Sequence, residues 1–427
     1  MDKLVVEGGF ELHGRVRISG SKNATLPILA ACLMAEGTCR LEEVANLQDT
    51  HFMCEALKKL GVEVSPLQDG VLTTKVTDRT CWTAPYDLVR KMRGTICVLG
   101  PLVASRGHAV VSMPGGCNIG TRPIDLHLKG LRALGARVDV HAGYVEAEAR
   151  RLRGREIFLG GAFGSSVLAT ANTLMAACLA EGTTVIESAA CEPEIEDLAN
   201  FLIAMGAKIT GQGTPRLCIE GVTSLKGAAH KVIPDRIEAG TYMVAAAITR
   251  GQVQIENVRL DHMSAVVEKL REIGVSITPT GADRALVSAP KKLAATDVTT
   301  LPYPGIPTDM QAQLMALLAL ADGISVVTEK VFPDRFMHVA ELNRLGASIR
   351  KEGSSAIIIG IPKFSAAPVM ASDLRASASL VLAALAAKGR TDVLRIYHLD
   401  RGYEKIEEKL AALGAQVWRE EQGAEAE

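Results

Sequence analysis

The sequence predicts an α/β protein of two domains, each made of three copies of one unit with its helices inside and its sheets outside. Three observations predict this. First, a short phrase recurs: two apolar positions at a helix end, then Gly, then a strand. Its glycines fall at Gly61, Gly135, Gly206, Gly274, Gly346 and Gly414, with gaps of 74, 71, 68, 72 and 68 residues, so six copies of one unit fill the chain. Second, an almost wholly apolar stretch precedes each copy and ends at Gly37, Gly107, Gly182, Gly251, Gly323 or Gly389. Third, the chain has 427 residues, and at ~150 residues per domain that length points to two or three domains.

The elements of the unit follow in order. Stretches such as 26–35, 314–321 and 380–387 are apolar on all sides and read as buried helices. The Gly after each reads as a C-cap. A strand follows, as in Val185-Ile186-Glu187 and Val253-Gln254-Ile255. Then come an amphipathic outer helix, the Leu-Gly phrase and another strand. Six buried helices do not fit one core of this size, so three units should close around each of two cores. The division is expected in the Gly/Ala/Pro-bearing stretch 227–234. One domain is then 21–233. The other is 234–427 with residues 1–20, whose single strand (Leu4 to Ile18) crosses over to join it.

Composition narrows the function. Apolar residues make up 48% and charged residues 22%, enough for large cores and too ordered a mixture for disorder. A net charge of −1 argues against a nucleic-acid or membrane-surface binder. Every apolar stretch is broken well short of a membrane span, and the N-terminus lacks a signal peptide's basic and apolar regions. The nine Cys are scattered without a Cys-x-x-Cys pair, which disfavours a zinc site or disulfide framework and fits a reducing cytoplasm. Cys32, Cys39, Cys54, Cys97, Cys178 and Cys218 sit in apolar contexts and read as inert thiols.

Polar residues gather where the buried helices begin. Lys22-Asn23, Arg93, Ser165-Ser166, Asp235-Arg236-Ile237-Glu238, Asp309-Met310-Gln311 and Arg375 open the six in turn. Helix N-termini favour anions, and cations there oppose the helix dipole. Cations at three of six starts therefore point to a multiply charged anion in that space. Separately, Met113-Pro114-Gly115-Gly116-Cys117-Asn118-Ile119-Gly120-Thr121-Arg122-Pro123 reads as a loop. Its central Cys117 should be exposed, and Arg122 nearby would favour the thiolate if it folds back.

These motifs carry a family resemblance. The chain resembles the enolpyruvyl transferases that act on UDP-N-acetylglucosamine at the start of peptidoglycan precursor synthesis. The likeness spans the whole chain and rests on Gly20-Ser21-Lys22-Asn23-Ala24, the Cys117 loop, Glu192-Pro193-Glu194-Ile195, Pro234-Asp235-Arg236-Ile237-Glu238, Pro307-Thr308-Asp309-Met310-Gln311-Ala312-Gln313, Arg335-Phe336-Met337-His338, Asp373-Leu374-Arg375-Ala376-Ser377 and Asp400-Arg401-Gly402-Tyr403-Glu404. It implies two inside-out α/β barrels with the active site in the cleft between them. It also implies a cytoplasmic transferase of cell-wall synthesis that needs neither metal nor cofactor. The substrates would be phosphoenolpyruvate and UDP-N-acetylglucosamine, with no nucleic acid or membrane partner. The oligomeric state is left open.

The resemblance also implies roles. Lys22, Arg122 and Arg401 hold the phosphate of phosphoenolpyruvate, and Arg335, Arg375 and Arg401 hold its carboxylate, as forked and point cations should. Asn23 touches both substrates near the reacting hydroxyl. Arg93, Arg122, Pro123, Ile124, Asp125 and Leu126 serve the nucleotide, Gly164, Ser165, Ser166 and Val167 the diphosphate, and the Val331 carbonyl the sugar. Asp309 is the general base for the 3′-hydroxyl. Cys117 gives a proton to the methylene carbon and is open to alkylation by fosfomycin. One departure stands out: Leu168 replaces a Gly in the family's usual Ser-Val-Gly-Ala-Thr and would crowd the diphosphate segment. It leaves open a relative that uses another nucleotide. A non-catalytic nucleotide-sugar binder is the third reading, disfavoured because binding alone needs neither Cys117 nor Asp309.

Overall fold

A computed structural model describes residues 2–113 and 123–421. Cys117 and Arg122 lie outside the described residues. The chain forms two compact units: residues 2–19 with 234–421, and residues 20–113 with 123–233.

Each unit is built around three buried helices. In one they are Arg236–Ile248, Gln311–Leu318 and Leu374–Ala386, and every pair of the three is in contact. In the other they are Lys22–Ala31, Leu99–Arg106 and Val167–Cys178. Their surfaces are Ala- and Leu-rich, so backbones approach closely and each helix is enclosed by its neighbours and by the sheets. Side chains at the starts hold the first free N–H groups. Ser21 accepts from Ala24 N, Ser166 from Ala169 N, Asp235 from Ile237 and Glu238 N, and Asp373 from Arg375 and Ala376 N.

The sheets lie outside, and the described residues hold six four-stranded sheets of one pattern. In one, Glu156–Phe158 runs parallel to Thr183–Glu187, which pairs antiparallel with Arg216–Glu220 and through it with Lys208–Thr210. Along Thr183–Glu187 the buried positions alternate with outward ones, so Thr184 and Ile186 face the helices.

This differs from the sequence reading in four ways. In five of the six units the outer helix is followed by a hairpin rather than one strand, in the sixth Gln416–Glu421 pairs with Asp2–Gly8 instead, and a short parallel strand completes each sheet. Those edge strands run two to five residues, as in Thr83–Ala84 and Val298–Thr300, too short for a periodic signal. Second, residues 4–18 form two strands broken at Gly8-Gly9, where Gly9 has φ 97°. Asp2–Gly8 lies between Gly389–Leu394 and Gln416–Glu421, with Val6 opposite Thr391 and Val417. His13–Arg17 joins a different sheet, beside Gln252–Glu256. Third, only Gly107 of the six expected glycines caps its buried helix directly. Gly182 and Gly323 come a few residues later, in the turn to the strand, and Gly389 is the first residue of the strand itself. Fourth, Cys218 is half-buried, because alternation along Arg216–Glu220 turns it to the outward face.

The glycines of the Leu-Gly phrase do cap helices. Gly135, Gly206, Gly274, Gly346 and Gly414 all have φ between 90° and 106°. In each case the Gly N–H and the next N–H bond back to the last helical turn, as Gly206 N does to Ile203 O and Ala207 N to Leu202 O. This is the Schellman arrangement, which needs a left-handed residue. No atom lies within 4 Å of a Cβ built on Gly206, so the requirement there is conformational and not steric. Gly206→Ala should therefore cost about 1–2 kcal/mol, read as a lower urea midpoint with an unchanged slope. An unchanged midpoint would show that the positive φ is not required.

Candidate active site

In the unit of residues 2–19 and 234–421, three residues that sequence reasoning nominated meet. Asp309 lies in the 3₁₀ turn that leads into the buried helix Gln311–Leu318. Its Oδ1 accepts from Arg335 Nη1 at 2.8 Å and its Oδ2 from Arg375 Nε at 3.3 Å. Asp373, the cap of the next buried helix, lies 3.9 Å from Arg335 Nη2. The two guanidinium side chains are 6% and 1% exposed and Asp309 is 26% exposed, so Asp309 is the accessible end of the cluster.

The electrostatics favour charge on both arginines. Burial opposes it, but Asp309 and Asp373 outweigh that for Arg335, and Tyr403, Asp309 and Asp235 do so for Arg375. Among the described residues Arg375 Nη1 and Nη2 have no hydrogen-bond partner and are buried, and the guanidinium sits 5.2 Å from the centre of the Tyr403 ring. An unpaired charged donor in such a place is costly unless an acceptor can reach it. Below the cluster, burial holds His338 down to about 4, with its Nε2 3.2 Å from Met315 Sδ, so it adds no charge at neutral pH.

Two buried glutamines in an otherwise apolar helix explain how the cluster is held. Gln311 Nε2 donates to the Arg335 carbonyl at 3.0 Å, and Gln313 Nε2 donates to the Asp309 carbonyl at 2.9 Å. Gln313 also reaches Tyr403 Oη at 3.3 Å, and Tyr403 bonds Thr241 Oγ1 at 2.9 Å. The sequence motifs include Gln311 and Gln313 without a role for either; a polar pair inside an otherwise apolar run was the available signal. Arg401 closes the 3₁₀ helix Ile396–Arg401 in the same unit, and burial followed by the Arg401 charge lowers His398. Val331 lies just past the strand Ile324–Glu329.

In the other unit, Lys22 is the first residue of its buried helix and Asn23 the second. Lys22 Nζ lies 2.8 Å from Asp49 Oδ2, and both side chains are buried. The cations at helix starts are thus balanced: Lys22 by Asp49 and Arg375 by Asp309. Asp49, in the first turn of the outer helix Gln48–Lys59, was missed because it looks like an ordinary N-terminal acid.

The residues expected to serve the nucleotide belong to three segments that one buried side chain ties together. Asn172 Oδ1 accepts from Gly100 N at 2.8 Å, while its Nδ2 lies 2.9 Å from Ile96 O and 2.8 Å from His127 Nδ1. It thereby joins the 3₁₀ helix Arg93–Val98, the helix Asp125–Ala133 and its own helix Val167–Cys178. Pro123 and Ile124 precede the second of these. Gly161 and Gly164 form a tight reciprocal turn, N to O at 2.9 and 3.1 Å, directly before Ser165 and the capping Ser166. A Cβ on Gly161 would meet Leu126 at 3.1 Å, so the turn passes close to one of the residues expected to serve the nucleotide. Leu168 is partly buried and packs against the apolar core, which takes up part of the bulk expected to crowd the segment.

Among the described residues one group has metal-ligand spacing: His108, Glu146 and Glu148. It is a half-exposed cross-strand ion pair, with His108 Nε2 3.1 Å from Glu146. No described helix is long and apolar enough to cross a membrane.

Comparison with known proteins shows the family of the chain. The family described as EPSP synthase (3-phosphoshikimate 1-carboxyvinyltransferase) matches residues 6–410. The UDP-N-acetylglucosamine 1-carboxyvinyltransferase of Methylacidiphilum infernorum is 53% identical over 98% of this chain and 99% of its own. A protein named UDP-N-acetylglucosamine 1-carboxyvinyltransferase 1 from Caldanaerobacter subterraneus is 54% identical with the same coverage. Among solved structures, the enolpyruvyl transferase NikO from Streptomyces tendae has a TM-score of 0.88 at 26% identity, covering 98% of both chains. An EPSP synthase from Acinetobacter baumannii shares the fold, with a TM-score of 0.75 at 20% identity and 99% and 100% coverage. The chain belongs to the enolpyruvyl transferase family and, within it, to the UDP-N-acetylglucosamine 1-carboxyvinyltransferases.

Proposed function

We propose that the protein transfers the enolpyruvyl group of phosphoenolpyruvate to the 3′-hydroxyl of UDP-N-acetylglucosamine and releases phosphate. The observation that carries this is the cluster of Asp309 with two buried arginines, one of which has two donor groups without a partner among the described residues. A substrate carboxylate supplies the missing acceptor. The names of the relatives supply the acceptor and the transferred carboxyvinyl group, and phosphoenolpyruvate as its donor rests on the sequence motifs.

The chemistry follows from the cluster. While both arginines lie on Asp309, the carboxylate is ionised but engaged. When they take up a substrate carboxylate, Asp309 is released as a base and accepts the proton of the 3′-hydroxyl. The oxygen then bonds to the central carbon of phosphoenolpyruvate as its methylene carbon gains a proton, giving a tetrahedral intermediate that still bears phosphate. Loss of a proton from the new methyl group re-forms the double bond, and the bond to phosphate breaks. Lys22 and Arg401 stabilise the departing phosphate. Cys117 as the proton donor and Arg122 as a third phosphate ligand rest on the sequence motifs. Arg93, Ile124 to Leu126 and Gly164 to Val167 receive the nucleotide, on segments fixed by Asn172.

A coupled phosphate-release assay with both substrates tests the reading. Release that requires both is expected; none with UDP-N-acetylglucosamine, but release with another nucleotide sugar, would refute the acceptor. Asp309→Ala should abolish turnover and leave sugar-nucleotide binding within about tenfold (~1.4 kcal/mol) by calorimetry. Near-normal turnover would remove Asp309 from the role of base. Fosfomycin should inactivate the parent and label Cys117 by mass spectrometry, and a Cys117→Asp enzyme as sensitive as the parent would contradict an exposed reactive thiol.

A further inference from the structure

We infer that Glu329 is a positioning residue for the general base, holding Asp309 through Thr308 and Arg335 while fixing the turn that carries Val331. The inference rests on the functional reading above. Glu329 is the last residue of the strand Ile324–Glu329, and its side chain is fully buried. A buried carboxylate needs several donors to remain charged. Four converge on it. Oε1 accepts from Thr300 Oγ1 at 2.6 Å, Val331 N at 2.8 Å and Phe332 N at 2.9 Å. Oε2 accepts from Thr308 Oγ1 at 2.9 Å.

The polarity of the Thr308 bond matters. A hydroxyl has one proton, and Glu329 can only accept it. Thr308 Oγ1 is therefore left as an acceptor on its other side, where Arg335 Nη1 donates to it at 3.0 Å. The same Nη1 donates to Asp309 Oδ1 at 2.8 Å. One carboxylate thus fixes the direction of a two-bond relay that ends on the base. By holding the N–H groups of Val331 and Phe332 it also sets the turn whose carbonyl is expected to meet the sugar. Arg335 N donates to Phe332 O at 2.9 Å, which closes the loop from that turn back to the arginine. An amide at position 329 would put a donor where donors already converge and would turn the Thr308 proton away.

The test uses full-length protein labelled with ¹³C-carboxyl aspartate, the Asp309 resonance being assigned with Asp309→Asn. Among the described residues, Arg335 and Arg375 face Asp309, with Asp373 and Glu329 beyond Arg335 and Asp235 and Tyr403 beyond Arg375. Glu329→Gln loosens Arg335 from Asp309, so the Asp309 titration midpoint should rise by about half a pH unit or more. Thr308→Val removes only the relay and should raise it likewise, which keeps the inference testable should Glu329→Gln fold poorly. Thr328→Val, which removes the 3.0 Å bond to Ser355 on the neighbouring strand, should leave it unmoved. A midpoint unmoved in Glu329→Gln and Thr308→Val, or moved as far in Thr328→Val, overturns the assignment. In phosphate release, kcat should fall about 10–100-fold in Thr308→Val, with its unfolding midpoint close to the parent's; a parental kcat there also overturns it. Absence of phosphate release by the parent would refute the functional reading instead, and the titration would still decide the role of Glu329.

Discussion

A helix that is apolar on every side leaves its two ends as the natural places for charge. Six such helices order this chain. Because each must be enclosed all round, strands cannot form a central layer. They take the outer shell, with one face on the helices and one in water. Because the flanks admit almost no charge, ionisable residues collect at the helix starts, where free N–H groups need acceptors. Lys22, Arg375 and the Asp309 turn all sit at such starts. The reactive groups and the fold are consequences of one constraint.

That placement sets an electrostatic problem that the cluster answers. A cation at a helix N-terminus is disfavoured by the dipole and, when buried, by desolvation. Asp373 caps its helix and also faces Arg335, so one carboxylate opposes both penalties. Asp309 does the same for the two arginines while remaining the exposed member. An anionic substrate can replace Asp309 in that role at small cost, since charge is exchanged for charge. In the proposed reaction, substrate binding and release of the base would then be a single event.

Much of this was legible in the residues. The 68–74 residue period revealed six units, because each Leu-Gly phrase encodes the same left-handed helix cap. The charged helix starts pointed to the same residues that the cluster assembles. What stayed hidden has physical reasons. Edge strands of two or three residues carry no periodicity. Asp2–Gly8 and His13–Arg17 enter different sheets, and pairing partners roughly 240 to 420 residues away leave no local trace. Asp49, Asn172 and Glu329 act through hydrogen bonds to distant segments, so their types looked unremarkable in place. Leu168 looked obstructive because the core that takes up part of it cannot be seen from the sequence.

The central claim is that the base at a helix start, Asp309, and the buried arginines beside it serve an addition–elimination sequence. Its most direct test is the isotopic content of the product formed in D₂O, read by NMR at the transferred methylene carbon. Protonation of that carbon makes a methyl group whose hydrogens become equivalent by rotation, so deuterium should appear in the product's methylene. A product that keeps only the hydrogens of the original phosphoenolpyruvate would contradict the account.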